Sequence, residues 1–234
     1  MRPWNGMTVL DAFCNIGGTG MGFHLAGFRV LGVDVLDQPN YPFAFVRGDA
    51  VAFIREHGAA FDLISAGPPC QHDCTLTAGT NARHRDRYPD LLEPTRQALE
   101  TTGRPYVIEQ PPGRASKRMR VDVALCGEMF GLRVIRHRNF ELGGWSMPRP
   151  AHVPHRGPTI GYRHGAYVSP EQGRYFQVYG NGGGKGSISD WQQAMGIHWT
   201  GDRRELAEAI PPAYAELIGR HAAHRLALPE RVAA

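Results

Sequence analysis

The chain has 234 residues, 42% of them hydrophobic, enough for one sizeable core with a small appendage and too little for two full domains. Its net charge is +4 and its pI about 9.0; it has no apolar run of membrane-spanning length, and Met1-Arg2-Pro3-Trp4-Asn5-Gly6 lacks the charged-then-apolar layout of a signal peptide. Its four cysteines, at 14, 70, 74 and 126, are too sparse for a secreted disulfide scaffold, so a cytoplasmic chain with reduced thiols is expected.

In chain order, residues 7–13 predict a short strand that meets a glycine-rich turn, Asn15-Ile16-Gly17-Gly18-Thr19-Gly20-Met21-Gly22. A helix to about Ala26 follows, with Gly27 as its stop. Residues 29–34 predict a second strand ending on Asp34, and residues 45–49 a third. The apolar run 61–66 is the fourth, a polar loop spans 71–89, a helix covers 91–101, and residues 105–109 make the fifth strand. Strands alternating with helices predict an α/β fold, a doubly wound and mostly parallel sheet. From about residue 143 the texture turns to Gly, Pro, His and Arg, too poor for a core of its own. Helical patterning returns at 189–195, with Ser189 or Asp190 as the cap, and again at 203–226. The expected organisation is a catalytic domain over 1–142, a small irregular insert over 143–188, and a C-terminal segment, 189–234, that returns to the first domain.

The positive charge is almost all arginine, Lys117 and Lys185 being the only lysines. Arginine suits phosphates and base edges, and its clustering around residues 83–87, 114–120, 133–138 and 149–163 fits a polyanionic partner. A solvated surface face is the plain alternative.

Two turns carry the chemistry. The fourth strand runs directly into Gly67-Pro68-Pro69-Cys70-Gln71. The paired prolines fix φ and keep the backbone out of helix, so Cys70 sits at a defined angle at a strand's carboxyl end, where open α/β sheets do their work. A thiol so placed reads as a nucleophile. Glycines between the first strand and helix let a cofactor approach the backbone, and Asp34 is placed to accept from ribose hydroxyls. The dinucleotide fingerprint would need a glycine at position 23, where Phe23 stands, so S-adenosylmethionine, which has no pyrophosphate, fits better.

With Asp11-Ala12-Phe13-Cys14-Asn15-Ile16-Gly17-Gly18 and Ala26-Gly27-Phe28 at the front, the Pro-Cys-Gln element after strand four, Glu109 ending strand five and Arg136-x-Arg138 beyond it, the chain resembles the cytosine-C5 DNA methyltransferases. The resemblance covers residues 7–140 and, weakly, 189–219. It implies a Rossmann-like fold dependent on S-adenosylmethionine, with a short target-recognition region in the insert. It implies Cys70, Glu109, Arg136 and Arg138 as catalytic residues, Cys70 adding to C6 of a flipped cytosine, Glu109 and Arg138 contacting the ring, and Arg136 holding phosphate or the Cys70 loop. The cofactor would lie among Asp11, Phe13, Asn15, Gly17, Gly18, Asp34, Val35, Asp49, Ala50 and Pro69. Double-stranded DNA would meet Thr75, Arg83, Arg85, Arg87, Arg156, Arg163 and Lys185, with Arg149 and Arg174 as further phosphate contacts, and the protein is expected to act as a monomer.

Several positions depart from the family pattern: Asn15 replaces a glycine, Gln110-Pro111 replaces Asn-Val, Val134 replaces a glutamine, and Glu208 stands for asparagine in Ala207-Glu208-Ala209-Ile210-Pro211-Pro212. RNA is the alternative substrate, since the same chemistry would serve it, and a catalytically silent DNA-binding relative is the alternative class. No metal site is expected: Cys70, His72 and Cys74 crowd one turn with no fourth ligand evident elsewhere.

Overall fold

A computed structural model describes residues 3–70, 89–163, 165–180 and 185–228. Seven strands form one sheet in the order β3-β2-β1-β4-β5-β7-β6. They are β1 (Thr8–Ala12), β2 (Arg29–Asp34), β3 (Ala44–Arg47), β4 (Leu63–Ala66), β5 (Tyr106–Gln110), β6 (Val123–Leu125) and β7 (Arg138–Gly143). The strands from β3 through β5 pair in parallel, and β7 runs antiparallel between β5 and β6. The mostly parallel, doubly wound sheet expected from the alternation is present.

The central strands are buried on both faces, which is why they read as unbroken apolar runs. Val9, Val30, Leu63, Val107 and Phe140 pack with one helix layer, while Leu10, Val33, Ile64, Ile108 and Leu99 pack with the other. The first layer pairs α1 (Gly18–Leu25) with the long C-terminal helix; the second holds α2 (Ala50–His57) and α3 (Leu92–Thr101). Two strands escaped the sequence reading. β6 is only three residues long, and β7 carries Glu141 at its centre. That carboxylate is buried because Arg96 of α3 pairs with both of its oxygens, at 3.1 and 3.0 Å, and the Arg120 backbone N–H donates to it at 3.1 Å.

Boundaries shift by small amounts elsewhere. The third strand ends at Arg47, and Asp49 instead caps α2, accepting from the Ala52 N–H at 2.7 Å. Ser187, rather than Ser189 or Asp190, caps α4 (Ile188–Met195), with Asp190 completing the reciprocal capping box. The expected helix over 203–226 is two, α5 (Arg203–Glu208) and α6 (Pro212–Leu226), because Pro211-Pro212 cannot continue a helix and Pro212 instead starts the next one.

Gly143 closes β7, and Trp145 packs into the main core with its indole N–H donating to the Tyr106 carbonyl at 3.1 Å. Beyond it the chain forms a small antiparallel hairpin, β8 (Gly161–Arg163) and β9 (Ala166–Val168). Ile160, Phe176 and Val178 of this region share a third cluster with Trp191, Met195, Ile197 and Leu206. These three side chains are thus buried against the C-terminal segment.

Candidate active site

The carboxyl end of β4 leads into Gly67-Pro68-Pro69-Cys70. Parallel pairing puts Ala66 opposite Ile108, so the next residues along, Gly67 and Glu109, face one another. A Cβ on Gly67 would lie 3.5 Å from Glu109 Oε2. The turn is tied to β5 by Gln110, whose side-chain amide donates to the Pro68 carbonyl at 2.6 Å. One departure from the family pattern is therefore a tether for the nucleophile loop. Cys70 is half-buried, whereas Cys14 and Cys126 are buried. Burial also pushes the Cys14 thiol well above its ordinary range, leaving it inert.

Glu109 and Arg138 meet at the end of β5 and the start of β7, Arg138 Nε lying 2.7 Å from Glu109 Oε1. The contact is ionic without hydrogen-bond alignment: Glu109 Oε1 is buried and has no hydrogen-bond partner among the described residues. Burial raises the Glu109 pKa, and the guanidinium groups of Arg138 and Arg136 offset only part of that rise. The site thus holds a carboxyl whose charged form burial disfavours, with its Oε1 facing the Arg138 guanidinium.

Arg136 does not face solvent. It is buried, and it donates to the Val178 carbonyl at 2.8 Å and the Ala207 carbonyl at 2.6 Å, while its own carbonyl accepts from the Tyr214 hydroxyl at 2.7 Å. It joins the insert, the C-terminal segment and the active-site edge. Its charge reaches Cys70 and Glu109 through the interior, while burial lowers its own pKa.

At the other end of the cleft edge, the β1–α1 turn puts Phe13, Asn15 and Gly17 at φ of 59°, 45° and 83°. Two non-glycine residues in the left-handed region within one turn mark stored strain at a functional loop. Asp34, ending β2, accepts from the Asn15 N–H at 3.1 Å and the Leu36 N–H at 3.0 Å, so each oxygen keeps a free lone pair. Beside it Val35 and Leu36 are exposed, at 64% and 60%, and Phe13 is half-buried. A carboxylate with spare acceptor capacity next to uncovered aliphatic side chains fits the ribose and adenine of an adenosyl group.

Three expected cofactor contacts are placed otherwise. Asp11 is 2% exposed beneath the turn, accepting from the Tyr41 hydroxyl at 3.1 Å, and burial raises its pKa to about 8. Ala50 is buried in the α2 core layer. Gly18 is needed for packing: a Cβ there would come 2.3 Å from the Ile210 carbonyl. Residues 209–212 thereby return against the glycine turn. Asn15 and Glu208, both departures from the pattern, meet at 3.4 Å through Asn15 Nδ2 and Glu208 Oε2, so each explains the other.

Among the expected nucleic-acid contacts, Thr75, Arg83, Arg85 and Arg87 lie outside the described residues, and Arg163 is described only as part of β8. Arg156 is exposed. Lys185 is engaged by its own segment, donating to the Tyr179 carbonyl at 3.0 Å and lying 3.8 Å over its ring. Arg174 pairs with Glu128 at 2.7 Å, and Arg149 donates to the Val121 and Asp122 carbonyls, so neither points freely outward. The sequence reading missed an exposed aromatic pair, Tyr162 and Tyr167, 74% and 46% exposed with rings 5.0 Å apart on the β8–β9 hairpin. Their alternate spacing across a hairpin turn was the available signal. It also missed a convergence of four ligand-type side chains, Cys126, His137, His152 and His155.

The strand order with one antiparallel strand, together with a glycine turn at β1 and an acid ending β2, defines the Rossmann-like fold of S-adenosylmethionine-dependent methyltransferases. Within that class the chain is similar in structure to the Dnmt2 methyltransferase of S. pombe, with a TM-score of 0.57 and 14% identity over 95% of this chain and 100% of that one. It is similar to a mutant of Spodoptera frugiperda DNMT2 with the same TM-score, at 10% identity over 92% of this chain and 99% of that one. At such identity the likeness is one of fold. No protein-family profile matches the chain, and no curated protein does.

Proposed function

We propose that the protein transfers a methyl group from S-adenosylmethionine to C5 of cytosine in DNA, through a transient bond between Cys70 and C6 of the base. The observation that carries this reading is the juxtaposition at the ends of β4 and β5: a half-buried cysteine on a tethered Pro-Pro turn whose Gly67 faces Glu109, a carboxyl with raised pKa and an arginine at 2.7 Å.

Cytosine C5 is too poor a nucleophile to attack a sulfonium methyl unaided. The Cys70 thiolate adds to C6, with the Arg136 charge nearby favouring the thiolate. Electron density moves to N3 as the ring loses aromaticity. Protonated Glu109 donates to N3, its other oxygen accepts from the exocyclic amine, and Arg138 contacts O2. Burial, which raises the Glu109 pKa, favours that donation. Phe13, Asp34, Val35 and Leu36 would hold the adenosyl group, with Asp49 toward the adenine amine; when bound, S-adenosylmethionine supplies an electrophilic methyl. Loss of the C5 proton then lets the thiolate leave and restores the aromatic ring.

The target ring cannot reach Cys70 inside a stacked duplex, so the base must be flipped out. The exposed Tyr162 and Tyr167 offer stacking surfaces and Arg156 a phosphate contact. Tritiated methyl transfer from S-adenosylmethionine, with duplex DNA and transfer RNA in competition, tests the reading. Label in DNA as 5-methylcytosine is expected; label confined to transfer RNA would move the substrate to RNA, and no label in either would remove the activity.

A further inference from the structure

Cys126, His137, His152 and His155 come from three separate parts of the chain. Cys126 follows β6, His137 immediately precedes β7, and the other two lie in the segment leading to β8. One ligand atom from each can be chosen so that all four lie within 4.8 Å of one another. Cys126 Sγ is 3.1 Å from His155 Nε2, and His137 Nε2 is 3.1 Å from His152 Nε2.

The rings are arranged as a tetrahedral ion would arrange them. With zinc–nitrogen bonds of about 2.05 Å, each imidazole centroid lies about 3.2 Å from the metal, and tetrahedral angles then separate the centroids by about 5.2 Å. The three centroid separations are 5.2, 5.0 and 5.0 Å. Hydrogen bonding satisfies these groups only in pairs and gives no reason for three imidazoles and a buried thiol to gather with one ligand atom from each within 4.8 Å of the others.

We propose that these four side chains form a structural zinc site. One thiolate and three neutral imidazoles match the ion's borderline softness, and four protein ligands close its coordination shell, so the site would hold structure rather than activate water. Binding transfers the Cys126 thiol proton to solvent. His137 stands between Arg136 and Arg138, so the ion would pin the start of β7 to the end of β6 and to the 152–155 loop. The site is a positioning device for the active-site edge and is independent of which nucleic acid is methylated.

The full chain, produced with zinc in the medium and purified without chelator, is assayed for metal by mass spectrometry. About one zinc per chain is expected, falling below about a tenth in His152→Ala and retained in Cys70→Ser. His152 is exposed, so its replacement leaves the core intact, which circular dichroism verifies. Cobalt(II) added to the metal-stripped chain should give the intense visible bands of tetrahedral cobalt and a thiolate charge-transfer band that Cys126→Ser lacks. A metal-free wild type that gives cobalt only its weak octahedral spectrum, or a folded His152→Ala with full zinc, would overturn the proposal.

Discussion

Glu109 and Asp11 are both acids with pKa values raised by burial, and they serve different ends. Glu109 has an Oε1 that faces Arg138 without an aligned hydrogen bond at the rim of the proposed base pocket, and the proposed mechanism uses the protonated carboxyl as a donor. Activity that depends on this donor persists while the carboxyl is protonated and falls as pH rises through its raised pKa. Glu109→Gln retains an N–H donor but cannot exchange roles between N3 and the amine; turnover is expected to drop about a hundredfold, with the high-pH limb of the rate profile abolished. An unchanged profile in the glutamine variant would assign that limb to another group.

Asp11 is instead sealed under the glycine turn. Its folded pKa of about 8 stands above the ordinary carboxylate value of 3.8, so the stability linked to its protonation is complete in acid and is lost as pH rises toward and through 8. Asp11→Asn keeps a partner for the Tyr41 hydroxyl and removes the titration. Thermal melts should therefore show the wild type losing several degrees between about pH 6 and pH 9 while the asparagine variant stays level. Parallel pH profiles for the two would show that Asp11 does not titrate in this range.

Among the elements, β7 shows best what a sequence conceals. Strands β1, β2, β4 and β5 were legible because burial on both faces makes them continuous apolar runs ended by Gly, Pro or Asp. β7 reads Arg138-Asn139-Phe140-Glu141-Leu142-Gly143, and Glu141 becomes a strand residue only once Arg96, 45 positions away, neutralises it. Glu141→Ala strands that guanidinium at the helix–sheet contact and is expected to cost about 3 kcal/mol in chemical unfolding. Glu93→Ala removes only a half-exposed partner of the same arginine and should cost under about 0.5 kcal/mol. Equal effects from the two would show that the pair on β7 contributes no more than a surface contact.

The same limit applied to the site. Cys70, Glu109 and Asp34 were legible because each lies at or just past the carboxyl end of a strand, the position at which open α/β sheets present their reagents. The inward turn of Arg136 was not, because its partners at 178 and 207 are distant in sequence and are backbone carbonyls. The histidine cluster was hidden for a related reason: ligands at 126, 137, 152 and 155 follow no short motif and meet only when β6 and β7 pair.

At the scale of the whole molecule, the net charge of +4 overstates the free positive surface of the insert. Lys185, Arg174 and Arg149 are engaged by other groups of the protein, and among the described side chains the hairpin tyrosines and Arg156 offer outward-facing recognition chemistry. Affinity for nucleic acid should then combine a salt-dependent part with stacking. The double variant Tyr162→Ala, Tyr167→Ala is expected to weaken binding by about 1–3 kcal/mol per stacked base in a filter assay, with S-adenosylmethionine binding unchanged. Unaltered affinity would place the contact surface elsewhere. Among the described residues no helix is long and apolar enough to cross a membrane.

The claim that most of this account rests on is the bond between the Cys70 sulfur and C6 of the base, and trapping reads that bond directly. Duplex DNA carrying 5-fluorocytosine is incubated with the protein and S-adenosylmethionine, and the products are run on a denaturing gel. Fluorine at C5 cannot leave as the proton does, so the wild type should give a protein–DNA adduct stable to denaturation, joined at Cys70 by peptide mapping, and Cys70→Ala should give none while still binding S-adenosylmethionine. Methyl transfer to ordinary cytosine without any trapped adduct, or an adduct that survives in Cys70→Ala, would contradict the account.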